Sequence, residues 1–288
     1  MKFWRQTITG GLVILMAVSL ASESAGAKQK VFMCCETYSL RSLMDSKYDY
    51  VTVMPVMKSL GMKGVALNDI WLKSCDKPYL DEIKKAAKDS GIKIVALICE
   101  GNLSTTDDEA WKKQVETDAT KMRAAAYLGA KVVRLNLGGL GNQEKDDTVG
   151  TDRCIAAFKQ LLPLAKELKV KMTIENHGGP SKKADNIIRI IKSTDPKWVG
   201  SCLDFKNWPA DVLYEENAKL APYAYHVHAK ALAFDANGEE TSVSYQKLLR
   251  MLKDANYKGA VSIEYEGGGD AIEGVTKTRD LILKYWKM

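Results

Sequence analysis

A chain of 288 residues, 46% hydrophobic and 27% charged, suits one large single-core domain, and no Pro/Gly/Ser-rich linker interrupts it. Its formal charge of +6 arises from interleaved acids and bases. Lysines such as Lys84, Lys85 and Lys88 fall at helical spacing, so a solvated outer face accounts for them and no nucleic-acid partner is implied.

Lys2 and Arg5 precede an apolar run from about Ile8 to Leu20, and small residues follow as far as Ala25-Gly26-Ala27. The run falls short of the roughly 20 residues of a membrane span, and the small-x-small site favours cleavage after Ala27 over retention as an anchor. Residues 1–27 therefore read as a secretory signal peptide. The expectation is an exported protein, periplasmic or secreted, with no membrane attachment after cleavage. Loss of Lys2, Arg5 and Glu23 would leave a charge of +5. Of the cysteines, Cys34, Cys35, Cys99 and Cys202 fall in predicted strands, and Cys75 and Cys154 complete no zinc spacing. Buried thiols are expected, with no disulfide and no structural metal.

Residues 30–36 form a first strand, left by a Thr37–Arg41 loop, and a helix follows at about 50–60. Gly61 and Gly64 punctuate the chain before a strand at 65–69; the helix 79–90 then leads through Gly91 into a strand at 92–98. Residues 107–128 keep helical periodicity up to Gly129, and 131–139 supply the fourth strand, with Gly138 and Gly139 opening the loop above it. Helices at 152–168, 183–193, 210–220, 245–255 and 272–286 then alternate with strands at 170–175, 199–204, 224–229 and 260–264. Eight strands alternating with eight helices predict a parallel sheet closed into a (β/α)8 TIM barrel, residues 28–288. No Gly-x-Gly-x-x-Gly or Walker-type loop follows a strand, which argues against a dinucleotide-binding sheet.

The last four strands each end an apolar run on a metal-type ligand: Thr-Ile-Glu175, Cys-Leu-Asp204, His-Val-His228 and Ser-Ile-Glu264. The ligands are 29, 24 and 36 residues apart, about one strand, one helix and two loops each. Strand ends crowd round the C-terminal mouth of such a barrel, so the four can converge on one cation. Three carboxylates and one imidazole suit a hard or borderline divalent ion, with Mn²⁺ first, Mg²⁺ or Co²⁺ next and Zn²⁺ as a further option. Such an ion polarises a carbonyl and stabilises the enediolate formed when an adjacent proton leaves. Glu175 and Glu264, on opposite sides of the ligand arc, are the expected catalytic acid and base. Strand parity puts His177 with Glu175, Glu266 with Glu264, and both His226 and Lys230 with His228. Lys230, above the metal layer, is the third expected catalytic residue, holding a substrate oxygen or offsetting developing negative charge, whereas His226 lies one layer deeper as a core or second-layer group. Tyr38, Asn68, Trp71, Glu100, Asn136, His177, Asn207 and Trp208 follow strand ends and are the candidate substrate-binding residues.

At Ile-Glu175-Asn-His-Gly-Gly, Leu-Asp204-Phe-Lys-Asn207, His-Val-His228-Ala-Lys230 and Ser-Ile-Glu264-Tyr-Glu-Gly the chain resembles the xylose isomerase-like TIM-barrel family. That family includes sugar isomerases, ketose 3-epimerases, inosose dehydratases and endonuclease IV. The resemblance covers essentially all of the mature chain. It implies that the matching four residues hold one divalent ion and that the matching glutamates shuttle a proton. Several relatives have a substrate- or metal-facing histidine three residues after the aspartate, where this chain has Asn207. Endonuclease IV-like members use a histidine-rich trinuclear zinc site; with three histidines in all, and Asn68 and Glu100 at early strand ends, DNA repair is not expected. The expected function is a metal-dependent isomerase or epimerase of an unphosphorylated sugar or polyol. The alternatives are a 3-keto-glycoside lyase or dehydratase using the same site and a non-catalytic sugar-binding protein. The small-molecule partner is a sugar or glycoside, and a homo-oligomer is compatible with the sequence.

Overall fold

The computed structural model describes residues 30–138 and 147–287. Eight strands close into one all-parallel barrel in sequence order: β1 (Phe32–Glu36), β2 (Gly64–Asn68), β3 (Lys93–Cys99), β4 (Val132–Leu135), β5 (Lys171–Glu175), β6 (Val199–Asp204), β7 (Ala224–Ala231) and β8 (Ala260–Tyr265). The helices of the outer ring are α1 (Arg41–Met44), α2 (Val53–Ser59), α3 (Lys77–Ser90), α4 (Asp108–Leu128), α5 (Asp147–Leu168), α6 (Ala184–Ser193), α7 (Leu213–Leu220), α8 (Tyr245–Asp254) and α9 (Ala271–Trp286). The leader segment and Gly139 lie outside the described residues. No described helix is long and apolar enough to cross a membrane.

The helices start and stop where local chemistry directs. Asp107, Ser244 and Asp270 each accept a backbone N–H from the first turn of α4, α8 and α9, and Gly91 and Gly129 end α3 and α4 in the left-handed conformation, φ 66° and 89°. Gly200, inside β6, is needed for a different reason: a Cβ there would sit 2.6 Å from the Tyr223 carbonyl oxygen. Close approach of β6 and β7 at that point brings Asp204 alongside His228.

Several predicted boundaries move: α2 and α7 begin about three residues later than expected, at Val53 and Leu213, and β4 ends at Leu135 rather than 139. The Thr37–Arg41 loop is a 3-10 turn, Thr37–Leu40, running into the short helix α1, and α5 begins at Asp147 rather than at 152. β7 continues two residues past the predicted end, which carries Lys230 within the sheet rather than above it. The strands' outer faces pack against the apolar stripes of the helices in a core that includes Phe158, Ile187, Leu248, Leu252 and Ile282, and a smaller apolar cluster of Ala66, Ala96, Ile98 and Val132 fills part of the barrel interior. All six cysteines are unbridged; Cys34, Cys35, Cys99 and Cys202 are buried, as their strand placement implied, Cys154 is buried on α5 and Cys75 is half-buried.

Candidate metal centre

Glu175, Asp204, His228 and Glu264 meet inside the barrel mouth, each offering a ligand atom within 4.8 Å of the others, and all four are buried. Register explains the meeting. Asp204 lies opposite His228, Glu264 lies opposite Lys230 one inward position further along β7, and Glu175 lies opposite Cys202. Such stagger is the shear of a closed barrel, and it draws four strand ends to one point.

Hydrogen bonds aim the ligands. Asp204 Oδ1 accepts the backbone N–H groups of Lys206 and Asn207, both at 2.7 Å, leaving its buried Oδ2 without a hydrogen-bond partner. Glu264 Oε2 is likewise buried without a hydrogen bond, 3.4 Å from His228 Nδ1, and Glu175 Oε1 lies 2.8 Å from the same nitrogen. Buried carboxylate oxygens aimed at one point from three strands need a compensating charge, and an oxygen-rich set with one imidazole fits a divalent cation.

Burial and mutual charge shift the four groups in opposite directions, and a bound cation would displace the protons favoured on Asp204 and His228. Burial pushes the Asp204 carboxyl well above the ordinary range. Burial also acts on Glu175, but Arg134 and His228 outweigh it and bring the group to about 2. Glu264 is held well below the usual value because Lys230 and His228 overcome its burial. For His228, burial opposes the charge while Cys202, Glu264 and Glu175 raise its pKa well above that of free imidazole.

Two buried cations flank the ligands. Lys230 Nζ donates to Asn207 Oδ1 at 2.9 Å and lies 3.5 Å from both Asp204 and Glu264 and 3.3 Å from Glu266. Burial would lower its pKa, but those carboxylates raise it well above the ordinary value, so it serves as a fixed ammonium and not as a base. Arg134, on β4, lies 3.0 Å through Nε from Glu175 Oε2 and donates through Nη2 to Glu100 at 2.9 Å. Asn136 Nδ2 holds the other Glu100 oxygen at 2.6 Å. Arg134 escaped the sequence reading, although it shares inward parity with Asn136.

Glu36 was missed as well, although it ends the apolar run of β1 just as the four ligands end theirs. It is fully buried, accepts the Asn68 amide at 2.9 Å through Oε1, and leaves Oε2 unbonded. Burial, then the nearby Glu264 charge, pushes its pKa up to about 8. A carboxyl whose folded pKa is raised binds its proton more tightly when folded, so stability falls as pH rises from the unfolded value towards 8. Glu36→Gln is therefore expected to match wild type near pH 4 and to exceed it at pH 8, by roughly 5 °C or more in Tm for chelated protein. Thermal melts at the two pH values check this; an equal Tm difference at both would contradict it.

Above the centre opens a cavity of about 310 Å³ lined by Tyr38, Asn68, Ile70, Glu100, Arg134, His177, Glu264 and Glu266. In the ring of strands, β8 stands across from β4, so Glu264 and Glu266 face Arg134, Glu100 and His177 over this space. Of the predicted substrate residues, Tyr38, Asn68, Glu100 and His177 line it; the buried Nδ1 of His177 has no hydrogen-bond partner. Asn207 reaches the site through Lys230 and Asn136 through Glu100. Trp208 is 5% exposed and packs in the core, and Trp71 lies on the neighbouring rim, its indole N–H donating to Asp45 at 2.8 Å. His226 is buried edge-on to the His228 ring at 5.3 Å, and burial lowers its pKa to about 3, in keeping with a deeper neutral group.

Residues 54–285 match the profile of the family described as xylose isomerase-like TIM barrel. The chain belongs to that family. Its fold is shared with a structure of 3-keto-D-glucoside 4-epimerase from E. coli in the apo form, at TM-score 0.72 and 15% identity over 88% of this chain and 100% of the other. A structure of the IOLI protein with a binding zinc atom aligns at TM-score 0.74 and 15% identity, over 90% of this chain and 100% of that one. At the level of sequence, 53 residues are 47% identical to the 3'-dehydrocarminate deglycosidase alpha subunit of Microbacterium sp. That match spans 18% of this family member and 15% of the relative's length.

Proposed function

We propose that this family member is a divalent-metal-dependent enzyme that removes a proton from the carbon beside a carbonyl of an unphosphorylated sugar or glycoside. The carrying observation is the convergence of Glu175, Asp204, His228 and Glu264 directly beneath a polar cavity. Those four residues would hold the ion, Mn²⁺ by preference for an oxygen-rich set, and when bound it supplies Lewis-acid polarisation of the substrate carbonyl and charge for the enediolate.

The two glutamates are not equivalent. Glu175 is hydrogen-bonded to His228 through Oε1 and ion-paired with buried Arg134 through Oε2, and the side chain does not line the cavity. Glu264 does line it and is ionised, so it takes the proton. Lys230 holds a substrate oxygen beside Glu264, and Arg134 and Glu100 orient hydroxyls on the opposite wall. His177 stands where a proton can be returned on the other face. Return there gives an isomer or epimer.

A second reading has support in the sequence likeness to a deglycosidase subunit. On a glycoside with a ketone at C3, loss of the C2 proton to Glu264 forms a C1–C2 double bond as the bond from C1 to the aglycone breaks. The leaving group takes a proton from the opposite wall. The products are an unsaturated keto sugar and the free aglycone. Export of the chain, with the leader at residues 1–27, belongs to this proposal and accords with an unphosphorylated substrate; cell fractionation with N-terminal sequencing tests it.

The reaction test is incubation of manganese-loaded protein with free ketoses, aldoses and 3-keto-glycosides in D₂O, read by NMR. Deuterium uptake with an unchanged skeleton supports the epimerase reading, and aglycone release supports the lyase. Binding without exchange or turnover across the panel would leave a sugar-binding protein. A separate expectation concerns stability alone: at 100 times its Kd, the right ion stabilises by about 2.7 kcal/mol, a rise in Tm of roughly 5–10 °C. Differential scanning against Mn²⁺, Mg²⁺, Co²⁺ and Zn²⁺ measures it, and no shift with any of the four would oppose the metal assignment.

A further inference from the structure

Ile70 is the most solvent-exposed large hydrophobic residue among those described, at 52%. It is not loosely held. It sits on a 3-10 turn, Asp69–Trp71, directly after β2; its N–H is accepted by Asn68 Oδ1, and Asp69 is anchored by the Glu100 N–H at 3.1 Å and by an ion pair with Lys121. A turn tied at both sides displays an isoleucine to solvent at the barrel mouth. One exposed isoleucine is ordinary by itself; its meaning comes from the cavities it borders.

Ile70 is also the residue shared by two cavities. One is the 310 Å³ space above Glu264, walled by charged and amide groups. The other, about 290 Å³, lies on the outer side of Ile70 and has walls of Met44, Tyr48, Trp71 and Leu72. Trp71 is braced by the Asp45 hydrogen bond and by the Tyr38 ring, whose centroid is 6.2 Å away, and Asp49 with Lys73 forms a polar rim at 3.4 Å. A free hexose satisfies the inner space and leaves the outer one to water. A molecule that suits both is polar at one end and planar and apolar at the other.

We propose that the outer cavity is a subsite for the apolar or aromatic aglycone of a glycoside whose sugar ring occupies the inner cavity. Tyr48, Ile70 and Trp71 are then the specificity-determining residues. This rests on the sugar-processing reading of the inner site. Ile70 forms the threshold, in contact with both halves of the substrate, and Trp71 supplies an aromatic face for stacking.

The test compares phenyl and methyl 3-keto-β-D-glucosides as substrates of the metal-loaded protein. It also compares unoxidised phenyl and methyl β-D-glucosides by saturation-transfer NMR, which requires no turnover. Wild type is expected to favour the phenyl substrate by about 10–200-fold in kcat/KM, mainly through KM. Ile70→Asp and Tyr48→Ala are each expected to reduce that phenyl-to-methyl ratio by about tenfold or more and to remove saturation from the phenyl protons, whatever their absolute rates. An unchanged ratio in both variants, or a wild type without phenyl preference or phenyl saturation, would overturn the subsite. If wild type turns over neither substrate yet saturates the phenyl protons in an Ile70-dependent way, the catalytic reading fails and the subsite stands.

Discussion

Glu264→Gln is expected to lower solvent-deuterium exchange into substrate by about 10²–10⁴-fold while leaving the barrel folded. Glutamine keeps the volume and one oxygen but cannot accept a proton in this role. Its effect on folding should be small because Lys230, which loses one anionic neighbour, retains Asp204 at 3.5 Å and Glu266 at 3.3 Å. Paired measurements of exchange rate and thermal midpoint separate the two effects. Wild-type exchange in a folded, metal-loaded variant would remove Glu264 from the chemistry.

Glu175→Gln should behave differently, since its neighbour is a buried guanidinium. Arg134 is 3% exposed, and without Glu175 its remaining carboxylate is Glu100, whose side chain is 36% exposed. Removing one partner of a buried pair typically costs about 3–5 kcal/mol, mainly the penalty of an uncompensated charge. For a chain of this size that corresponds to a fall of roughly 10 °C in Tm. The double variant Glu175→Gln with Arg134→Met takes away the stranded charge and keeps an unbranched side chain in its place. Stability should recover in large part and activity should not. If the double variant is no more stable than Glu175→Gln, Arg134 is not the source of the loss.

The convergence of Glu175, Asp204, His228 and Glu264 could be read from the chain because each ends an apolar strand, and strand ends at one mouth of a parallel barrel are obliged to converge. Glu36 obeys the same rule on β1 but escaped notice because it stands apart from the four late strands. Arg134 was hidden for another reason: parity, which places it beside Asn136, says that it points inward but not that it reaches Glu175 across β4 and β5. The unequal roles proposed for the two glutamates depend on that contact, and so were invisible. Lys230 was identified, but β7 was ended too early, since its continuation is fixed by pairing with β8 as far as Tyr265 and not by local propensity. Trp208 could not be placed from the chain: a strand-end aromatic suits a pocket wall or the core, and packing puts this one in the core.

The unbridged thiols carry a practical implication for handling the protein. Burial raises the pKa of Cys34, Cys35, Cys99, Cys154 and Cys202, so at neutral pH they remain protonated and sheltered, poor nucleophiles towards any disulfide partner. Cys75 alone of the six is partly open to solvent. A brief alkylation under native conditions should mark that position first, and oxidising or reducing buffers should leave the barrel's integrity alike, an inertness that follows from a fold owing none of its cohesion to cross-links.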